Sequence, residues 1–467
     1  MTERPYEAEV THHAAELTER FGDLEPGTET GEVVAVAGRL MLRRVQGKLA
    51  FGTLADQTGR IQLFAPSAST KDFEDFCDLN LGDWIRVSGQ VMTTRRGELS
   101  VQVDTWELLA PTRRPFPDKW HGISDPDLRF RQRYVDLWVT EEARSTLTMR
   151  SQILSLTRRF MEDRGYLEVE TPVFHPIPGG ALARPFTTHH NALDLELYLR
   201  IAPELYLKRL VVGGFERVFE IARVFRNEGL SPRHNPEFTM LECYEAYGDY
   251  HVHMELTETL VAHLCTELLG TTTVVHGDRE IDLSAPWRRA TLSDLTSASI
   301  GEEVSIDTPA DRLRSLCDEH GVPHKPSYGP GKLLLELYEK TTEATLWDPT
   351  FVMDYPKEVS PLSRDHRSKP GLTERFEGIV AGRELCNGFS ELVDPDEQRL
   401  RFEDQVRAGA EGDDEAMVVD EDYLRALDYG LPPTVGLGIG MDRLVMLLTN
   451  TTTIRDVILF PTLRPEA

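Results

Sequence analysis

Residues 216–247 read ERVFEIARVFRNEGLSPRHNPEFTMLECYEAY, with two runs of β-branched and aromatic residues on either side of LSPRHN (230–235). Such runs are strand formers. A connection this short joins antiparallel strands, because a parallel pair needs a crossover of a dozen or more residues. Side chains alternate along a strand, so Phe238, Met240, Glu242 and Tyr244 share one face. A carboxylate set among apolar neighbours is costly unless it meets a cation or hydrogen-bond donors.

The same parity in GRELCNGFSEL (382–392) aligns Asn387, Phe389 and Glu391. With Glu204 in RIAPELYLKRL (200–210), these two faces make an acidic, aromatic-lined slot for a cationic ligand. The alternative is that each glutamate pairs with a structural arginine. Glu384 has the opposite parity to Glu391, so either the strand is bulged between them or its two faces serve different ligands. Arg226 closes one strand, Arg233 and His234 lie in the loop after it, and Arg443 opens the helix that follows GLGIG (436–440). Guanidinium forks at a strand end and a helix start suit a polyphosphate held from two sides. GLGIG itself is neither GxGxxG nor followed by GK[ST], and it also fits a strand packed closely on a helix. His251 and His253 form an HxH pair with no third ligand at useful spacing.

Outward from this centre, residues 32–110 change to short alternating runs punctuated by Gly47, Gly59, Gly82 and Gly97, which predicts a small barrel of about five strands. Its acids and bases nearly balance, ten against nine. Arg39, Arg43, Arg44, Lys48, Arg95 and Arg96 gather near strand ends and Phe51 and Phe64 offer stacking faces, a combination suited to single-stranded nucleic acid. Aromatics packed in the core beneath solvated arginines would fit the same pattern. Residues 1–30 are expected to be a short acidic helix or tail, 31–110 the barrel, 111–140 a Pro-rich link and 141–467 a second domain. In that domain the periodicity predicts a helix over 141–163, a strand over 166–173, a helical insertion over about 251–345, one strand over 376–392, and helices over 397–408 and 441–450. The fold class is α+β.

The chain has 467 residues, 40% hydrophobic and 28% charged, with 34 glycines and 28 prolines, which excludes collagen-like and wholly disordered classes. Its start, MTERPYEAEV, lacks the basic and apolar regions of a signal peptide, and no stretch approaches about 18 uncharged apolar residues. A cytoplasmic protein with no membrane span is expected. Five cysteines without CxxC spacing argue for reduced, packed thiols. A net charge of -27 excludes nucleic-acid binding by bulk electrostatics but leaves room for a local basic path. The acidic runs in 1–34 and 411–422 are expected to be solvated.

Four collinear runs carry a resemblance: 165–221, containing GGALARPFTTHHNALDLELYLRIAPELYLKRL; 225–250, FRNEGLSPRHNPEFTMLECYEAYGDY; 382–392; and 430–461, containing GLGIGMDRLVMLLTN. They resemble the three motifs of class II aminoacyl-tRNA synthetases, and within these the bacterial lysyl-tRNA synthetases. The likeness implies a five-stranded OB-type barrel and a class II catalytic domain built on an antiparallel sheet flanked by helices. It further implies L-lysine, ATP and tRNA(Lys) as partners, Mg²⁺ as cofactor, and a homodimer. Arg226 and Arg443 would be catalytic, gripping the α- and γ-phosphates. Glu228, His234, Asn235 and Phe238 would complete the ATP site, and Glu377 and Glu384 would hold magnesium. Gly180, Glu204, Glu242, Tyr244, Asn387, Phe389 and Glu391 would form the lysine pocket, and Arg39, Phe51, Gln62 and Glu98 would read the anticodon.

On this reading a neutral side chain would leave buried carboxylates unpaired, a penalty that gives about 10⁴–10⁵ discrimination in comparable sites. The chain departs from bacterial members in its acidic N-terminal stub, in Cys386 where many have glycine, and in Val393 where asparagine is usual. A paralogue that activates lysine or an analogue for another acceptor, or that serves as a drug-insensitive copy, would carry the same slot. The complete barrel favours tRNA.

Overall fold

The computed structural model describes residues 5–114, 123–410 and 416–466. Two compact units emerge, Met1–Thr140 and Glu141–Ala467. Parts of the expected link and of the 411–422 acidic run lie outside the described residues.

The first unit is a closed barrel of five strands: Glu29–Gln46, Leu49–Ala55, Arg60–Pro66, Trp84–Thr93 and Leu99–Ala110. Strict alternation builds it. Ala50, Leu54, Ile61, Leu63, Val87 and Val101 point inward and are buried, while Phe51, Gln62 and Phe64 point out. Of the two readings of the N-terminal segment, the helix forms, and it is part of the barrel core. Ala14, Leu17 and Phe21 recur at helical spacing, and the helix Ala14–Phe21 packs all three into the barrel core. Asp56 anchors that helix by accepting from the Ala14 amide at 2.7 Å. Within the expected link, Pro126–Arg131 and Arg133–Val139 are short helices joined by Arg129, which donates to the buried Asp136 at 2.9 Å, while Asp136 also pairs with Arg133 of its own helix at 2.6 Å.

The second unit is centred on an eight-stranded sheet. The central six strands are antiparallel, in the spatial order Thr350–Met353, Arg375–Val380, Arg383–Ser390, Thr434–Gly440, Glu237–Ala246 and Arg217–Phe225. Two edge strands, Arg288–Thr291 and Leu167–Glu168, run parallel to their neighbours, which makes the sheet mixed. The predicted hairpin forms in full register, Phe225 opposite Glu237 through Arg217 opposite Glu245.

Behind the sheet lie the helices Glu141–Glu162, Tyr250–Leu269 and Met441–Leu448, whose Ile153, Phe160, Leu260, Leu264, Leu444 and Val445 build its core. Each such side chain contributes about 1.5–3 kcal/mol when fully buried. The predicted 251–345 insertion is therefore two things. Residues 250–269 belong to the main core, and only the helices Leu292–Ile300, Ala310–Glu319 and Pro330–Thr341 form a cluster of their own. The predicted single strand over 376–392 is a hairpin. Ala381 and Gly382 both adopt positive φ, 54° and 67°, at the two central positions of its turn. A buried ion pair between Arg150 and Asp442, with Asp442 also accepting from the Thr239 amide at 2.7 Å, ties the first of these helices to the hairpin and to the helix that carries Arg443.

Candidate functional site

A cleft of about 620 Å³ opens on the face of the sheet opposite those helices. Residues paired across antiparallel strands project to the same face, and the register sets two rows of side chains along its floor. One row runs Glu242, Gly438, Asn387, Glu377; the next runs Tyr244, Gly436, Phe389, Arg375. The predicted alignment of Phe238, Met240, Glu242 and Tyr244 holds, and all four line the cleft. The strand between these acids and aromatics contributes only glycines, at 436, 438 and 440, so the floor is a trough. A Cβ at Gly436 would lie 2.1 Å from Glu391 Oε1 and 2.6 Å from Tyr244 Cε1.

Glu384 joins this face through a bulge. Gly378 pairs with Cys386 but Ile379 pairs with Glu384, so Leu385 is an extra residue and the parity reverses across it. The bulge resolves the conflict between Glu384 and Glu391.

At the inner end of the cleft three carboxylates converge. Glu204, on the helix Glu204–Val212, Glu242 and Glu391 are all buried. Their partner is a lysine rather than an arginine: Lys208 lies 2.5 Å from Glu204 Oε1 and also pairs with Glu391 Oε2. Glu391 closes this end from behind Gly436 and Tyr244. Glu242 has no ion-pair partner among the described residues and accepts only from the Tyr244 hydroxyl, at 3.3 Å. Burial, reinforced by the charge of Glu204, pushes its carboxyl up to about 8. Gly180 borders the same end at φ +89°, where a Cβ would press on Glu204 Cβ at 3.2 Å and Ala202 Cβ at 3.3 Å.

The outer end is cationic. Arg226 follows the strand Arg217–Phe225, lies over the Phe238 ring at 5.2 Å, and has a buried Nε with no hydrogen-bond partner among the described residues. Such a donor requires an anion or water. Glu228 and His234 line the cleft and are exposed, with His234 Nδ1 3.0 Å from Ser231 Oγ. Asn235 is buried and spent on the protein, donating to the Glu237 carbonyl at 2.6 Å and accepting from the Thr462 amide at 3.3 Å.

Arg443, in the first turn of Met441–Leu448, donates to the Glu384 carbonyl at 2.6 Å and pairs with its carboxylate at 3.0 Å. Burial raises Glu377 to about 7 even with Arg375 only 2.6 Å away. Glu384 is only partly buried, and Arg443 holds it below the usual carboxylate range against its desolvation. No group of three or more His, Cys, Asp or Glu side chains is arranged around a metal position among the described residues. Two carboxylates nonetheless suit magnesium, which takes one or two of them together with phosphate and water oxygens. His253 is committed elsewhere, 3.2 Å from the Tyr166 hydroxyl.

In the barrel, Phe51 packs on Phe64 at 5.5 Å and Gln62 donates to Ser100 at 2.8 Å, while Glu98 is exposed beside the turn. Arg39 is not brought to them. Beyond a register shift at Met41, it donates to the Gly82 carbonyl at 2.8 Å and lies over the Trp84 and Trp138 rings. The arginine opposite Phe51 is the exposed Arg44. Sequence reading also missed Lys208, four residues beyond Glu204 on one helix face, and the alternate glycines, whose period of two on a strand was the available signal.

A cleft with an anion-binding end, an acidic end and a floor of hairpin and bulged strand defines an adenylate-forming synthetase domain. Residues 125–464 match the family of class II tRNA synthetases (D, K and N), and residues 34–109 match the OB-fold nucleic acid binding domain. The chain belongs to that class II family. It is 53% identical over 463 residues to the lysine–tRNA ligase of Xanthomonas oryzae pv. oryzae, covering 98% of this chain and 92% of that one. It is likewise 53% identical to the lysine–tRNA ligase of Synechococcus sp. (strain CC9605), and 51% identical to that of Burkholderia vietnamiensis, over 98% and 99% of this chain.

Gly436→Ala, which drives a methyl into Glu391 and Tyr244, is expected to cut amino-acid-dependent ATP–pyrophosphate exchange at least about tenfold, through KM for the amino acid, since overpacking costs about 1–3 kcal/mol. Steady-state kinetics beside a thermal melt checks this.

Proposed function

We propose that the chain is a lysine–tRNA ligase. The observation that carries this reading is the inner end of the cleft, where Glu242 lies buried near Glu204 and Glu391 with no ion-pair partner of its own among the described residues. Among the D, K and N substrates, aspartate and asparagine would place an acid or amide against these carboxylates, whereas lysine brings an ammonium. Glu242, Glu391 and Tyr244 would receive that ammonium, and Glu204 beside Gly180 would receive the α-ammonium. The α-carboxylate would then lie toward Arg226, beside ATP stacked on Phe238 and held at its far end by Arg443.

The chemistry needs no protein nucleophile or general base. A lysine carboxylate oxygen bonds to the α-phosphorus, the bond from that phosphorus to the bridging oxygen breaks, and pyrophosphate leaves with its electron pair. Arg226 orients both reactants and Arg443 stabilises the departing charge, so catalysis is positioning plus preorganised electrostatics. Glu377 and Glu384 would hold magnesium, which when bound neutralises phosphate charge. A terminal ribose hydroxyl of the tRNA then attacks the lysyl carbonyl and AMP leaves. The barrel would present Phe51 and Gln62 to the anticodon, with Arg44 nearer to them than Arg39.

A homodimer and a cytoplasmic location belong to this proposal and are supported by the family likeness. No helix among the described residues is long and apolar enough to cross a membrane. The paired presence of barrel and cleft supports a tRNA acceptor over any other.

Charging of purified tRNA(Lys) tests the reading, and failure to charge alongside normal lysine-dependent exchange would point to another acceptor. Phe51→Ala is expected to weaken charging by about tenfold, the loss of one stacking contact, while exchange stays unchanged; equal loss of both would remove the barrel from tRNA recognition.

The Glu242 carboxyl also predicts a pH dependence. The charges facing it are Glu204 and Glu220, which raise it, and Arg226, which with the Tyr244 hydroxyl lowers it. Protonated in the empty slot below about 8, it must lose its proton to pair with an ammonium. Lysine affinity should therefore rise up to about tenfold per pH unit below that value and level off above it. Titration calorimetry across pH 6–9 checks this, with Glu242→Gln expected to be weaker and flat.

A further inference from the structure

The acidic slot contains a cation of its own. Lys208 lies one helical turn beyond Glu204 and is completely buried. Its Nζ takes one oxygen from each of two carboxylates, Glu204 Oε1 and Glu391 Oε2, and faces the rings of Phe389 and Tyr423 at 5.4 and 5.9 Å. Burial alone would lower its pKa, but Glu204 and Glu391 raise it well above the ordinary value, so the ammonium stays charged. The second oxygen of Glu391, Oε1, is buried with no hydrogen-bond partner among the described residues, and it abuts the cleft floor at Gly436.

We infer that Lys208 sets the number of charges the slot offers its substrate. Once an arriving ammonium has displaced the proton of Glu242, so that Glu204, Glu242 and Glu391 are all ionised, three negative charges meet one internal positive charge and two remain for the substrate. A free diamino acid carries two ammonium groups, and its carboxylate is met separately by Arg226. The filled slot is then neutral, whereas an amino acid with one ammonium leaves a buried charge uncompensated. Lys208 occupies the inner oxygens of Glu204 and Glu391 and so presents Glu204 Oε2 and Glu391 Oε1 to the substrate. It touches neither the reacting atoms nor ATP, which makes it a positioning residue. This inference rests on the function proposed above and adds to it the origin of the charge count.

The count makes a prediction that a purely structural role does not. Glu391→Gln leaves one net negative charge against two ammonium groups. Adding Lys208→Met to it restores two against two. Lysine titration of the full chain is therefore expected to show Glu391→Gln weakened by about a hundredfold or more, the cost of breaking a buried ion pair. The double variant Lys208→Met, Glu391→Gln should bind at least about tenfold tighter than Glu391→Gln alone, a non-additivity expected of residues in contact. A thermal melt accompanies each chain. If Lys208→Met alone does not fold, because two carboxylates lose their cation, comparing Glu391→Gln with the double variant still decides. A double variant that binds no tighter than Glu391→Gln overturns the inference. Absence of lysine-dependent exchange in the unsubstituted chain would instead remove the functional reading beneath it, so the two failures are distinguishable.

Discussion

A carboxylate buried without a counter-ion is the constraint around which the catalytic unit is built. Glu242 sits on a central strand, shielded from solvent, and among the described residues it accepts a hydrogen bond only from a tyrosine hydroxyl. Folding such a group is unfavourable in itself. Its neighbours keep the cost tolerable by letting it hold a proton while the slot is empty, and the same arrangement makes it a strong site for an arriving ammonium. The opposite end of the cleft has the inverse problem, guanidinium groups awaiting oxygen anions. A substrate carrying ammonium at one end and carboxylate at the other, beside a polyphosphate, relieves both.

Register turns this electrostatic arrangement into a shape. Glycines at 436, 438 and 440 remove side chains from one strand face, so flanking residues on either side of it reach across an open trough. The bulge at Leu385 then turns Glu384 onto the same face as Asn387 and Glu377. Behind the sheet, Arg150 and Asp442 lock the helix that bears Arg443 to the hairpin that ends in Phe238. Most side chains of the cleft floor, though they come from distant parts of the chain, are thereby held by backbone pairing and buried ion pairs, while Arg226 and His234 lie in the loop between two strands.

Much of this was legible in the sequence because it rests on local periodicity. Strand parity alone placed Glu242 with Tyr244 and Asn387 with Glu391, and the turn residues of the barrel marked its five strands. The misses share a cause, which is that they depend on what one element meets in another. Helical spacing in 14–21 was visible, but not that the barrel core was open to receive it. Positive φ at Ala381 split one apparent strand into a hairpin, and a single extra residue reversed the side of Glu384. Lys208 stood in plain view four residues from Glu204, yet its second partner is 183 positions further along the chain. Arg39 was carried over from the family likeness, but it lies opposite Ala55, two residue pairs beyond Thr53, and over tryptophan rings, while Arg44 is the arginine opposite Phe51.

Direct comparison of L-lysine with L-norleucine, which keeps the aliphatic stem and lacks the terminal ammonium, isolates the acidic end of the cleft from everything else. In ATP–pyrophosphate exchange, kcat/KM should favour lysine by about 10⁴ or more, the discrimination typical of sites whose buried polar groups a wrong substrate leaves unpaired. Norleucine activated within about tenfold of lysine, the level a merely hydrophobic pocket achieves, would contradict recognition by buried carboxylates.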